Sequence, residues 1–259
     1  MQELQDYAIG ATDGEVGHVR DFFFDDQEWV IRYLVVETGN WLLSRKVLLS
    51  PYSLGPADWA NKLLPVRISK EQVRNSPDVD SEKPVSRQHE ILYADYYSYP
   101  YYWNGDGYWG DGLFSPEMTS QYSFEASRAE TRRHASDDPH LRSCKAVVGY
   151  HVHATDGDIG HVSAMMVDEE TWAIRYLVID TSNWWIGQKV LVPPQWITNV
   201  DWTDSKVSID LTRKTIEDSP RFDSSYALNR QQELDLYRHY QRPSYWEREK
   251  RRETEVTMN

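Results

Sequence analysis

Residues 11–19 read Ala11-Thr12-Asp13-Gly14-Glu15-Val16-Gly17-His18-Val19, and 143 positions later the chain reads Ala154-Thr155-Asp156-Gly157-Asp158-Ile159-Gly160-His161-Val162. The same offset, without a gap, joins Ile31-Arg32-Tyr33-Leu34-Val35 to Ile174-Arg175-Tyr176-Leu177-Val178, and Asn40-Trp41 to Asn183-Trp184. It then joins Lys46-Val47-Leu48 to Lys189-Val190-Leu191, Asp58-Trp59 to Asp201-Trp202, and Ser76-Pro77 to Ser219-Pro220. Identity held at one fixed spacing marks an internal repeat, each copy one structural unit. The register continues beyond a compact module, because Glu90, Tyr97, Pro100, Tyr102 and Trp103 meet Glu233, Tyr240, Pro243, Tyr245 and Trp246. The chain therefore divides into a first module at 1–80, a helix with a Tyr/Pro/Trp segment at 81–103, and a linker at 104–146. A second module follows at 147–223, then a second helix and Tyr/Pro/Trp segment with a charged tail at 224–259.

Within each copy the apolar residues run in short continuous or alternating stretches, which is strand behaviour. Asp13-Gly14 and Asp156-Gly157 are tight-turn dipeptides, since glycine accepts the backbone angles such turns need. They lead into strands near 16–24 and 159–167. Polar turns at Asp25–Glu28 and Asp168–Thr171 precede second strands over Trp29–Thr38 and Trp172–Thr181. Third strands cover Lys46–Leu49 and Lys189–Val192, closed by Pro51 and by Pro193-Pro194 because proline cannot donate to a ladder. Fourth strands cover Leu63–Ile68 and Lys206–Leu211, after which Ser69 and Thr212 stand where helix N-caps belong. Ser86–Tyr97 and Asn229–Tyr240 are proline-free with helical spacing, and each reads as a helix followed by an extended Pro-x-Tyr-Trp hook. The fold class that follows is mainly β: two tandem small β-barrels, each with a short helix and a helical, aromatic trailing segment.

The order ATDGEVGHV (11–19), WVIRYLVVETGNW (29–41), KVLLSP (46–51) and ISKEQVRNSP (68–77) resembles the PRC-barrel family. The resemblance covers about 8–80 and 151–223, and the tandem arrangement resembles bacterial stand-alone members. That family takes its name from the cytoplasmic domain of the photosynthetic reaction-centre H subunit, and a similar domain occurs in a ribosome-maturation factor. The resemblance implies a small barrel fold. It also implies, as one alternative function, an accessory protein of a photosynthetic or electron-transfer membrane complex.

Bulk composition narrows the remaining choices. A formal net charge of −13 repels phosphate backbones and anionic lipid. The basic cluster Arg248, Lys250, Arg251 and Arg252 is interleaved with Glu247, Glu249, Glu253 and Glu255, the pattern of a solvated face. Cys144 is the single cysteine, which excludes an intramolecular disulfide and a multi-cysteine zinc site. Met1–Asp6 lacks a signal-peptide pattern and no stretch reaches the roughly 18 apolar residues of a membrane helix, so the expected compartment is the cytoplasm.

No nucleophile elbow, phosphate-binding glycine loop or zinc-protease motif is present, and the expectation is a protein with no catalytic residues, no metal and no cofactor. His18 and His161 recur in both copies, yet neither has a carboxylate or second histidine beside it at ligand spacing. His151-x-His153 places two imidazoles on one strand face, but Ala8 and Gly10 stand at the matching first-copy positions, so the repeat implies no metal site. Trp41, Trp184 and Trp185 sit in an Asn-Trp loop, where an aromatic is either a lid on the barrel end or an exposed recognition surface. Together with His18 and His161 they form the candidate binding surface. Tyr102, Trp103, Tyr245 and Trp246 form a candidate aromatic staple that packs on a barrel, in their own copy or across copies. The leading expectation is a cytoplasmic protein-binding or structural module. Its contacts are a protein partner or a second copy of the chain, with no nucleic acid and no direct membrane insertion. Binding of a small ligand in a cleft between barrels is the further alternative.

Overall fold

The computed structural model describes residues 4–39, 42, 44–77, 85, 87–99, 101–102, 140–182, 188–223, 227–248 and 250. The chain divides into two compact units, Met1–Lys145 with Glu169–Ala173, and Ala146–Asp168 with Ile174–Asn259. Among the described residues the architecture is mainly β, with two sheets of six strands each and few helices.

The first sheet contains β1 (Ala8–Ala11), β2 (Gly14–Asp25), β3 (Val30–Thr38), β4 (Lys46–Leu49), β5 (Leu63–Pro65) and β6 (Leu141–Ser143). Its order is β4-β3-β2-β1-β5, with β6 on β2. All pairs are antiparallel except β1 with β5. The second sheet contains β7 (His151–Ala154), β8 (Gly157–Val167), β9 (Ile174–Asp180), β10 (Lys189–Val192), β11 (Ile197–Asp201) and β12 (Lys206–Ile209). Its order is β10-β9-β8-β7-β12-β11, with β7 and β12 parallel. Among the described residues the helices are α1 (Lys70–Arg74), α2 (Arg87–Tyr97), α3 (Cys144–Val147), α4 (Arg213–Glu217) and α5 (Arg230–Tyr240).

Local chemistry explains why the copies fold alike. Asp13 Oδ1 accepts from the Lys70 backbone N–H at 2.7 Å, and Asp156 Oδ1 accepts from that of Arg213 at the same distance. Each tight-turn aspartate thus satisfies a free N–H of the short helix that follows the strands of its sheet. Ser69 and Thr212 cap those helices from the front as the sequence predicts. Gly17 and Gly160 lie where a Cβ would meet the Glu37 or Asp180 carbonyl oxygen at 2.0 Å, so only a bare backbone lets β2 approach β3 and β8 approach β9.

A further shared device is a bulge. Phe23 faces Tyr33 while Phe24 faces Ile31, which leaves Arg32 as the extra residue of β3. Met166 faces Tyr176 while Val167 faces Ile174, which leaves Arg175 as the extra residue of β9. A bulge breaks the strict alternation of faces and re-aims a side chain. The cores form from inward residues of these strands, Ile9, Val19, Phe22, Ile31 and Leu34 in unit 1 and Val152, Ile159, Val162 and Leu177 in unit 2, where Trp196 joins them from the short turn before β11.

Several details differ from the sequence expectations. The strand expected over Leu63–Ile68 ends at Pro65, a residue with no N–H for the ladder. Ala8–Ala11 and Ile197–Asp201 add strands to those read from the pattern, and Leu141–Ser143, counted with the linker, pairs with β2. Trp29 and Trp172, read as strand starts, instead hold left-handed turn conformations with φ of 56° and 59°.

Candidate functional site

Each copy carries the same polar and aromatic cluster beneath its trailing helix. In unit 1 the helix α2 presents Arg87 and Glu90, one turn apart, toward β3. The Glu90 side chain has no exposure to solvent, and its Oε2 lies 2.9 Å from Arg87 Nη1. The Tyr102 hydroxyl donates to Glu90 Oε1 at 2.6 Å, and the Tyr33 hydroxyl also bonds this carboxyl. Arg32, re-aimed by the bulge, lies over the Tyr102 ring at 4.0 Å and 3.6 Å from the Asp25 carboxylate. Guanidinium over an aromatic face is attractive, and more so out of water.

Unit 2 repeats the arrangement. Arg175 lies over the Tyr245 ring at 4.0 Å and 3.1 Å from Asp168, Arg230 Nη1 lies 3.0 Å from Glu233, and the Tyr176 hydroxyl donates to Glu233 at 2.8 Å. The differences are in the filling. Tyr93 reaches from α2 to the Leu48 carbonyl at 2.7 Å in unit 1, whereas in unit 2 Trp196 stacks edge-on with Tyr237 and Tyr240 of α5.

Electrostatically the unit 1 cluster is strained. Desolvation pushes the Glu90 carboxyl up to about 7, and Arg87, the tyrosine hydroxyls and Arg32 offset only part of that burial. The buried hydroxyls of Tyr33 and Tyr102 are pushed well above the usual phenol range, first by burial and then by the adjacent Glu90 charge. Such a closed set of partners can hold a helix and a hook against a sheet.

Of the candidate staple residues, those that are described each pack within their own copy. Tyr102 is buried against Arg32, while Tyr245 and Trp246 are half-buried against Arg175, Arg230 and Tyr237. The second hook is not extended throughout, because residues 245–248 form a helical turn that Glu247 initiates by accepting from the Ser244 N–H at 3.0 Å. Trp103, Trp41, Trp184 and Trp185 lie outside the described residues. His18 is exposed on β2 and faces Ala8 and Glu37, whereas His161 is half-buried on β8 and faces His151 and Asp180. Both histidines pair with residues of neighbouring strands and not with the staple residues. The sequence reading passed over Arg32, Arg87 and their counterparts Arg175 and Arg230, although the constant offset pairs them as it pairs Glu90 with Glu233.

Two surface features complete the candidate set. Leu92 and Tyr96, one turn apart on α2, are 54% and 39% exposed, and at the matching positions α5 carries Asp235 and His239. Among the described residues no helix is long and apolar enough to cross a membrane. Comparison with protein families places a PRC-barrel domain at residues 142–216. No curated protein matches the chain.

Proposed function

We propose that this PRC-barrel protein is a non-enzymatic structural and protein-binding module of the cytoplasm, made of two tandem small barrels, which engages a protein partner through the trailing helix of its first copy. A PRC-barrel domain suggests a structural or interaction role. The tandem reading is supported by the constant offset, the matching strand orders and the duplicated Arg-Glu-Tyr cluster.

The observation that carries the proposal is the unequal outer face of two otherwise equivalent helices. Both copies keep the Arg-Glu-Tyr cluster, buried in unit 1 and half-buried in unit 2, so the inward face of each helix is accounted for by packing. Only the first presents an aliphatic and an aromatic side chain to water, at a spacing that places both on one stripe. Exposed apolar groups at helical spacing are the usual anchors of helix-mediated recognition.

The test is affinity capture from the source cell with the wild-type chain and with a Leu92→Asp, Tyr96→Ala double variant of unchanged circular dichroism. A partner retained by the first and lost by the second supports the proposal. Equal capture by both sinks it, and recovery of an electron-transfer membrane complex would favour the accessory reading over a free cytoplasmic one.

A further inference from the structure

We propose that the outward face of β7 and β8 binds a divalent transition-metal ion of the zinc class through the imidazoles of His151, His153 and His161. Sequence order separates these residues into two motifs, and neither motif alone has a ligand set. The sheet register joins them.

His151 faces His161 directly across the antiparallel pair, and two residues on, past a bulge that leaves Ile159 unpaired, His153 faces Asp158. Along β7 the residues between and beyond the histidines, Val152 and Ala154, are buried, so His151 and His153 share the outer face. On β8 the inward neighbours are Ile159 and Val162, which leaves Asp158 and His161 on that same outer face. Residues two apart on a strand are separated by about 6.6 Å along it, and directly opposed side chains start about 5 Å apart. Three imidazoles rooted that closely can meet an ion at the roughly 2.1 Å typical of zinc and nitrogen, with water completing the tetrahedron.

A second observation points the same way. His153 Nδ1 lies 2.7 Å from Asp158 Oδ1. A metal-ligating histidine is commonly held by a carboxylate on its other ring nitrogen, which fixes the ring and leaves Nε2 free to coordinate. Here that contact is already made. Asp180 faces His161 from β9 and adds a second carboxylate, while Lys189 and Lys206 stand at the two ends of the row. As they stand, no three such side chains among the described residues are placed to hold a metal ion. The proposed site requires the His151 and His161 imidazoles to turn toward His153, and among the described residues neither is held by a hydrogen bond. The first copy offers an internal control, since there Ala8 stands opposite His18 and Gly10 opposite Glu15.

The experiment is isothermal titration of the untagged full-length chain with zinc chloride. The expected result is one ion per chain, with affinity lowered tenfold or more by His151→Ala and by His161→Ala. Asp158→Asn, at a positioning residue, lowers affinity by about 10- to 100-fold while leaving the stoichiometry at one. His18→Ala, at the equivalent of His161 in the first copy, binds as the wild type does. The absence of binding at millimolar zinc overturns the proposal. So does zinc binding that survives both histidine substitutions, because the ion would then sit elsewhere on the chain.

Discussion

Glu90 and Gly160 show how single positions constrain this molecule. The Glu90 carboxyl sits at about 7 in the folded chain against 4.5 when unburied, so the folded state holds its proton more tightly than the unfolded one. Its contribution to stability is therefore full below about pH 4.5 and is lost as pH rises through about 7, a span worth about 3 kcal/mol. Chemical denaturation of wild-type and Glu90→Gln chains across this range should show a flatter pH dependence in the variant, and equal slopes would contradict the burial argument. At Gly160 a methyl group would stand 2.0 Å from the Asp180 carbonyl oxygen, a backbone atom that cannot move aside without parting β8 from β9. Gly160→Ala should cost more than about 2 kcal/mol in urea unfolding. A neutral result would mean that the two strands do not approach this closely.

At the scale of elements, the trailing helix and hook act as one clamp on the sheet beneath. The clamp depends on the bulge at Arg32, since strict alternation along β3 would send Arg32 and Tyr33 to opposite faces. Tyr102→Phe removes a hydroxyl that donates to a buried carboxylate, and a loss of about 1–3 kcal/mol is expected. Trp246 is only half-buried, so Trp246→Ala should cost less than the roughly 3–5 kcal/mol of a fully enclosed tryptophan. Thermal unfolding of both variants checks the order. A Trp246 effect equal to that of a core tryptophan would place the second hook deeper than its packing on Arg230 and Tyr237 indicates.

For the whole molecule, each unit has its own sheet, its own core and its own clamp. Trp196 is 1% exposed within unit 2, and Trp196→Ala should cost about 3–5 kcal/mol. Hydrogen exchange should locate the lost protection in β7–β12 and α5, with the amides of β1–β4 keeping theirs. Uniform loss across both sheets would show that the units unfold as one cooperative body.

The sequence by itself determined the repeat, the β class, the PRC-barrel resemblance and most element positions. Ser69 and Thr212 cap helices, and the helices read at 86–97 and 229–240 are found at 87–97 and 230–240. Those features are local: a capping side chain, a proline stop and a run of apolar residues act within a few positions of themselves. What only the tertiary structure decided depends on pairing between distant segments. The bulges that aim Arg32 and Arg175, the packing of Tyr102 and Tyr245 on their own copies, and the meeting of His151 with His161 each need a register between strands. A one-residue slip sends every side chain of a strand to the opposite face, so spacing along the chain cannot say which side chains meet across it.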